Sequence, residues 1–573
     1  MCESYTHPRF TDDDFADLSD ENKPDAGELA LRSGTYTFQP SRSERLTAQL
    51  TANYAWDVND NVDLNFFLGG EYSETTSYSA QMGGYDFVLG GDFFSMNNLN
   101  DEYLHYGTGD YQVYLNHTRK NKFGYFGEIR FDYKSMVQLS VTGRVDGSST
   151  LVQCDPVYFY PSVTGGVIFS ELFKLQNDWF SYGKIRGNWA KVGKDAPAYL
   201  FSKSFKQWTT FPDGGWGTAA TVSSASYLEP EMTSSWEIGA DLRFFNQKTR
   251  LDVAYYSTTV DNQIVTMRVS PSAGMILQTF NSGSVENYGV EATLSQDILK
   301  TKDFSWTANL NFSFNRGRLR SLPGDQTEYL ATQLGTDFYC SAVVGGSTTA
   351  MVGKDYERTE DGQIICDENG YPMISGSNSL HLGDREPDFL MGLGSTFTWK
   401  DLSVSFLFDG RVGGKVYNLT GRDLLRNGMA AAWEKYRNRE VIFNGVVPCA
   451  WDENGNATEY RPNTTPIILD SYNYGTYYDK VPTNFIEDGS YLRLSYVTVG
   501  YDFSNMMKKL GSNNPIKGLR CSLTGRNLFL LTKYTGVDPQ VMPTAAGGPG
   551  TMGIDNNSVP TLRSFNFNVN VTF

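Results

Sequence analysis

The sequence predicts an all-β protein, a transmembrane antiparallel β-barrel, and three observations carry that expectation. Apolar and polar residues alternate with period two from one end of the chain to the other. The alternating segments run to about ten residues or more, the length that crosses a bilayer at a tilt, whereas strands of soluble sheets average about five or six. The connections between them are short and long in turn, the mark of a barrel trimmed on one side of a membrane and elaborated on the other.

Taken in order, the alternation marks strands at 42–57, 61–77, 122–133, 135–146, 158–171, 179–192, 232–245, 248–260, 285–298, 302–316, 387–399, 401–413, 489–503, 516–530 and 559–573. In the first, Leu46, Ala48, Leu50, Ala52, Tyr54 and Trp56 alternate with Thr47, Gln49, Thr51 and Asn53. In 302–316, Phe304, Trp306, Ala308, Leu310, Phe312 and Phe314 alternate with Ser305, Thr307, Asn309, Asn311 and Ser313. The last is the cleanest, with Phe565, Phe567, Val569, Val571 and Phe573 set against Asn566, Asn568, Asn570 and Thr572. Short turns are expected near Asn59-Asp60, Lys134, Asn246-Gln247, Lys300-Thr301 and Lys400-Asp401. Long segments fall at 78–121, 193–231, 261–284, 317–386, 414–488 and 531–558. If the C-terminus ends in the periplasm, every short turn lands there as well. About 15 strands is an odd number, which ordinary up-and-down pairing cannot close, and large plugged transporters have about 22. About seven further strands are therefore expected to precede this chain.

Most of residues 1–41 read as an acidic extracellular loop, and 42–573 as the C-terminal part of the barrel. Asp367-Glu368-Asn369-Gly370 and Asp452-Glu453-Asn454-Gly455 are hairpin turn signals. A calcium reading of them lacks the remaining spaced carboxylates. Residues 421–438 have the composition of a short loop helix, and Asp146-Gly147-Ser148-Ser149 is expected to be a tight extracellular turn. Trp56, Trp189, Trp236, Trp306 and Trp399, near strand ends, read as an aromatic girdle at the membrane interface.

The composition removes several classes of function. Aromatic residues make up 14% of the chain, but the mean hydropathy is −0.39 and no stretch reaches the roughly 18 apolar residues of a transmembrane helix. A formal charge of −17 argues against a nucleic-acid partner. Cys2, Cys154, Cys340, Cys366, Cys449 and Cys521 have no zinc-ligand spacing, and a Cys340–Cys366 loop disulfide is one option for them. His7, His105, His117 and His381 lie apart with no acid or nucleophile at a catalytic spacing. There is no phosphate-binding glycine loop, so no catalytic residue, metal or cofactor is expected. Met1-Cys2-Glu3-Ser4 lacks the basic and apolar regions of a signal peptide, although the barrel requires export, so the natural N-terminus is expected to lie upstream.

Several motifs, in order, resemble those of SusC-like TonB-dependent receptors. They are Arg144-Val145-Asp146-Gly147-Ser148-Ser149 with Tyr160-Pro161-Ser162, then Phe180-Ser181-Tyr182-Gly183-Lys184-Ile185-Arg186 with Val192-Gly193. Leu228-Glu229-Pro230-Glu231 follows with Ser235-Trp236-Glu237-Ile238-Gly239, and then Val285-Glu286-Asn287-Tyr288-Gly289-Val290-Glu291. Ser490-Tyr491-Leu492-Arg493-Leu494, Gly525-Arg526-Asn527-Leu528-Phe529 and Lys533-Tyr534-Thr535-Gly536-Val537-Asp538-Pro539 complete the series. The resemblance implies a 22-stranded barrel in the outer membrane of a Gram-negative, Bacteroidota-like cell. It also implies an N-terminal plug and a TonB-binding segment, neither of which is found in this sequence. It implies import of glycans or peptides, a SusD-like surface lipoprotein partner, and energy from the TonB-ExbB-ExbD complex.

Candidate substrate contacts are the loop aromatics Trp208, Phe211, Trp216, Tyr472, Tyr474, Tyr477 and Tyr478, which could stack on a ligand or pack the loops together. The lumen candidates are the polar partners of the alternation: Asn309, Asn311, Glu237, Asp241, Arg243 and Glu291. Phe573 resembles the terminal aromatic signal read by the barrel-assembly machinery. Rival readings are a passive outer-membrane porin, an outer-membrane enzyme, and a non-functional fragment of a truncated importer gene.

Overall fold

The computed structural model describes residues 2–6, 35–85, 114–151, 157–200, 204–210, 216–222, 227–268, 277–540 and 553–573, apart from 325, 335–336, 378, 436, 510, 512–514 and 558. Fifteen long strands form one antiparallel meander. They are β1 (Ser41–Asn59), β2 (Val62–Tyr85), β3 (Tyr114–Tyr133), β4 (Val137–Ser148) and β5 (Val157–Val167). Next come β6 (Phe180–Lys194), β7 (Glu231–Phe244), β8 (Thr249–Asp261), β9 (Ser284–Lys300) and β10 (Phe304–Ser321). The last five are β11 (Phe389–Trp399), β12 (Leu402–Val412), β13 (Tyr491–Asp502), β14 (Gly518–Thr532) and β15 (Ser564–Thr572). Each pairs with the next in this order. The expected order and direction are observed, and the boundaries differ mainly where strands rise above the lipid.

The outer face inverts the usual rule of burial. Leu46, Leu50 and Tyr54 of β1 and Phe565 and Phe567 of β15 are all exposed, as are Leu68, Leu310 and Leu393 between them. A continuous apolar band of this kind is unfavourable in water and suits hydrocarbon. Aromatic clusters border it. Trp179, Phe180 and Phe244 meet at the short-turn end, and Trp306 stacks on Phe397 at 5.3 Å. Trp189 and Trp236 are cross-strand partners higher up, with Trp236 against Tyr255 at 5.3 Å.

All the short turns lie at one end. Between β3 and β4, Lys134 and Ser135 have φ of 54° and 57°, and the Met136 N–H donates to the Tyr133 carbonyl at 2.9 Å. This is a primed turn, whose twist matches the strands it joins. Phe245, Asn246 and Gln247 make the β7–β8 turn with positive φ, and Lys400 helps make the β11–β12 turn. Two connections at this end carry a helical turn, Phe169–Leu172 and Ser504–Lys509.

Three long loops at the other end, 322–388, 413–490 and 533–563, pack together into a crown. Phe338, Cys340, Met351, Tyr417, Phe485 and Ile554 are its buried core, and the Phe338 and Tyr417 rings stack at 4.1 Å. Small sheets tie the loops to one another: Lys415–Asn418 pairs with Ile486–Asp488 on one side and Ile554–Asp555 on the other. The two Asp-Glu-Asn-Gly segments are hairpin turns as expected. Gly370 and Gly455 have φ of 88° and 82°, and the carboxylates of Asp367 and Asp452 accept backbone N–H groups of their own turns. The helix expected in 421–438 runs over Leu419–Arg426, capped by the Asn418 side chain, which accepts the Gly421 N–H at 2.7 Å.

Two expectations are corrected. Cys340 and Cys366 are free thiols: Cys340 sits inside the crown core, and Cys366 lies beside Gly445 on a different small sheet. Burial pushes both thiol pKa values up. Asp146-Gly147-Ser148 is the end of β4 rather than a turn. Gly147 is needed there for space, because a Cβ would lie 2.2 Å from the Phe123 ring. Among the described residues of 1–41, Cys2–Thr6 and Thr35–Gln39 are strands that pair with each other, and the second also pairs with the upper end of β2. Among the described residues, neither the outer edge of β1 nor that of β15 has a wall-strand partner, so the sheet is curved but not closed.

Candidate functional site

The register decides which polar residues share the inner face. Glu237 of β7, Tyr256 of β8, Gly289 of β9 and Asn315 of β10 lie in one row across four strands. Asp241, Asp252, Thr293 and Asn311 form a parallel row, because alternate residues of neighbouring strands keep to one side. Glu291 and Asn309 belong to the same face, so the six lumen candidates do line one surface.

The charges on that surface are mostly paired. Arg186 of β6 holds Asp252 bidentately at 2.7 and 2.9 Å and lies 3.5 Å from Glu237. Arg243 contacts Asp241 at 3.1 Å and lies over the Tyr182 ring at 4.5 Å. Arg144, on β4, bonds to Asp146 at 2.7 Å and to the Tyr160 hydroxyl at 3.0 Å, over the Phe126 ring. Such pairs keep the wall polar while offsetting part of its negative charge. At the upper rim, Asp195 accepts from Lys120 at 2.7 Å, Lys122 at 2.8 Å and Ser148 at 2.6 Å. Burial alone would raise the Asp195 pKa, but these three donors outweigh it and hold the carboxyl below its ordinary value.

Glu291 and Asn311 come together in a hollow of about 320 Å³ on the inner wall. Thr293 and Ser313 line it on one side, Leu407 and Asp409 on the other, and Leu390 and Gly392 between them. The Thr293 hydroxyl donates to Asn311 Oδ1 at 3.2 Å, and the Tyr491 hydroxyl donates to Asp409 at 3.2 Å. This is a mixed surface of carboxylates, an amide, hydroxyls and two leucines, suited to binding by several weak directed contacts. Asp409, Gly392, Arg186 and Asp252 were not singled out from sequence. The signal for them was the alternation itself, which gives faces but not which distant strand sits alongside.

The loop aromatics divide. Tyr472 is 76% exposed, whereas Tyr474 is 4% exposed and packs with Leu469. Burial pushes the Tyr474 hydroxyl pKa up. Tyr478 stacks on Tyr474 at 5.3 Å and meets the Phe485 ring edge-on. Tyr477 stacks on Tyr371 of another loop at 4.7 Å. Trp208 and Trp216 lie on two paired strands, Ser204–Thr210 and Trp216–Val222, while Phe211 lies outside the described residues. Phe573 follows β15 and is exposed. The described residues contain no group of three or more His, Cys, Asp or Glu placed to hold a metal ion.

A family model described as "TonB dependent receptor-like, beta-barrel" matches residues 4–419. The TonB-dependent receptor P26 of Formosa agariphila is 26% identical over 550 residues, covering 91% of this chain and 52% of the relative. The TonB-dependent receptor SusC of Bacteroides thetaiotaomicron is 26% identical over 487 residues, 80% of this chain and 44% of the relative. Among solved structures, the RagAB peptide transporter matches with a TM-score of 0.67 at 20% identity, over 94% of this chain and 56% of that one. The RagAB peptide importer in its open-open state matches with a TM-score of 0.70 at 18% identity, over 100% and 57%. These last two are likenesses of fold. The chain spans about half the length of the curated relatives it matches.

Proposed function

The chain belongs to the TonB-dependent receptor-like β-barrel family, as an outer-membrane protein of the SusC/RagA-like kind, and from that premise we propose that it supplies the wall and outer crown of a nutrient importer. In this reading the importer takes up oligosaccharides or peptides. A SusD-like surface lipoprotein rests on the crown, and the TonB-ExbB-ExbD complex drives import. The inner wall handles cargo through Glu237, Asp241, Arg243, Glu291, Asn309 and Asn311. In the crown, the exposed Tyr472 is the tyrosine best placed to touch ligand or partner. Tyr474, Tyr477 and Tyr478 serve contact indirectly, by fixing the loop that carries it. Trp208, Phe211 and Trp216 remain candidates in the 193–231 segment.

The observation that carries this reading is the crown. Three loops from strands far apart in sequence share one buried core on the side opposite the short turns. Loops longer than about 12–15 residues need a reason to exist, and an ordered platform above a membrane wall supplies one. The hairpin Gly445–Trp451 and Ala457–Pro462 projects from it with Trp451 and Tyr460 exposed.

Two measurements on the protein in its native outer membrane test the proposal. Cells lacking the gene should lose uptake of an oligosaccharide or peptide mixture, and an uncoupler of the proton gradient should stop uptake in the wild type. Replacing 449–460 by a tight turn should lower co-purification of the surface lipoprotein while heat-modifiable gel migration stays normal. Uptake that survives the uncoupler would make the protein a passive pore. Co-purification at wild-type yield would move the docking surface elsewhere.

A further inference from the structure

The outer face changes character abruptly at its upper edge. Leu310, Phe312 and Phe314 of β10 share the lipid-facing side, and the next three residues of that side are Arg316, Arg318 and Arg320. Ring contacts agree with this placement. Arg316 lies over the Phe314 ring at 5.0 Å, Arg318 over Tyr288 at 5.8 Å, and Tyr288 meets Phe314 edge-on at 6.4 Å. Register carries the pattern across five strands. Trp189, Trp236, Ser257, Tyr288 and Arg316 form one row, and Lys191, Ser234, Thr259, Glu286 and Arg318 form the row above it. Tryptophan and tyrosine gather at the headgroup level of a membrane, so the upper row stands among the headgroups of the outer leaflet. This side of the wall is turned away from the lumen, and β6–β10 lie in the middle of the meander, away from both open edges.

Cations outnumber anions in these rows, in a chain whose formal charge is −17. Arg320 is matched with Glu286 at 2.7 Å and Arg316 with Asp388 at 3.0 Å. Lys191 and the exposed Arg318 have no ion-pair partner among the described residues. They stand four inter-strand steps apart, about 19 Å, and so reach two separate anionic groups rather than one. A hollow of about 420 Å³ adjoins Arg316 and Arg318, bounded by Tyr288, Phe314, Gly345 and Ser347. Three carboxylates also border it, and each already accepts a bond. Asp388 holds Arg316, Glu386 accepts from the Asn315 amide at 2.8 Å and the Gly317 N–H at 3.2 Å, and Asp384 accepts from the Thr349 hydroxyl. Guanidinium and ammonium groups above an aromatic row, with the Ser234 and Thr259 hydroxyls between them, complement a phosphorylated sugar headgroup. A zwitterionic headgroup would bring its own cation to the same arginines.

We propose that the outward rim of β6–β10 is a docking surface for an anionic glycolipid of the outer leaflet. Arg318 and Lys191 take its phosphates, Ser234 and Thr259 meet its sugar hydroxyls, and Trp189, Trp236 and Tyr288 lie against the upper part of its acyl chains. The site is on the lipid side of the wall and does not depend on what the importer carries.

The test uses the protein purified from outer membranes in a mild detergent, with native mass spectrometry to count bound lipid. The probes are a diphosphorylated diglucosamine lipid, the same lipid after enzymatic removal of its phosphates, and phosphatidylcholine. The wild type should bind the phosphorylated lipid in clear preference to the other two. Lys191→Gln and Arg318→Gln should each weaken that binding about fivefold, and the double variant should weaken it further. Arg318→Lys should restore most of it. Neither substitution strands a partner charge, and unchanged heat-modifiable migration confirms that each variant is inserted. Excess inorganic phosphate at fixed ionic strength should leave the lipid bound. Equal binding of the phosphorylated and dephosphorylated lipids, or binding unchanged in the double variant, overturns the proposal and leaves an ordinary lipid annulus. Displacement by inorganic phosphate overturns it in favour of a site for free anions. Nutrient uptake by whole cells tests the importer reading separately.

Discussion

Asp479 sits between two guanidinium groups in the crown. Arg422 holds it through two bonds at 3.1 and 3.2 Å and also donates to the Tyr417 hydroxyl at 3.0 Å, while Arg426 approaches at 3.2 Å from a more exposed position. Replacing one partner of a buried pair leaves the other charge uncompensated, at a cost of about 3–5 kcal/mol. Asp479→Asn should therefore raise hydrogen exchange across 417–426 and 474–486 while leaving thermal unfolding of the strands unchanged. Equal protection in both proteins would mean the pair is dispensable. Asp195 gives a pH dependence. Its folded pKa lies below the unfolded value of about 3.9, so its contribution is complete above that value and is lost as pH falls through the folded one. Shifting from pH 5 to pH 3 should open the rim around 195–200 to an acid-active protease, and Asp195→Asn should remove the difference between the two pH values. Single residues were the least legible part of the sequence. Glu291 and Asn311 could be placed on the inner face from alternation alone. Alternation gives Asp409 the same face but not its place beside them, because that comes from a pairing between segments separated by a 67-residue loop region (322–388).

The strands were legible because lipid enforces the alternation: one face must be apolar for as long as the strand is in hydrocarbon. Where that constraint ends, so does the signal. β3 begins at Tyr114 rather than 122, and its upper part reads Asn116, His117, Thr118, Arg119, Lys120, Asn121, with no apolar face to mark it. Turn geometry carries its own prediction. Ser135 holds φ 57° in the β3–β4 turn, and a left-handed backbone costs a non-glycine residue about 1–2 kcal/mol. Ser135→Gly should recover part of this, about 1 kcal/mol after the added freedom of the unfolded chain is counted, seen as a higher unfolding midpoint in detergent. An unchanged or lower midpoint would show that the serine side chain compensates locally. The last strand is held on one side only. β15 pairs with β14 through Ser564–Thr572, and its outward Phe565, Phe567, Val569 and Val571 continue the apolar band. Removing 564–573 uncovers the β14 edge and removes Phe573, the proposed assembly signal. Heat-modifiable migration of the protein in outer membranes should be lost, and migration that persists would show that assembly reads another segment.

At the scale of the molecule, the described wall is an open sheet whose two ends differ greatly in length. The free edge of β1 runs over 19 residues and that of β15 over 9, and neither has a wall-strand partner among the described residues. In water such an edge invites aggregation; in hydrocarbon each unpaired backbone group costs several kcal/mol, since no water can satisfy it. The odd strand count read from the sequence is matched by the open sheet, and the chain spans about half the length of each of these curated relatives. The crown was only half legible. Its length and turn signals were plain, but its core joins Phe338, Tyr417, Phe485 and Ile554 across three loops, and no local pattern encodes such a contact. Because that core does not depend on closure of the sheet, crown and wall should respond differently when residues 1–573 are expressed alone. The wall should fail to give a monomer in detergent micelles and should associate through its edges, so that cross-linking traps oligomers joined at 41–59 and 564–572. The crown should still protect 338–353 and 415–426 from proteolysis within those oligomers. A monodisperse, protease-resistant monomer with the circular dichroism of a closed barrel would show that the edges find each other, and that these fifteen strands suffice to span the membrane.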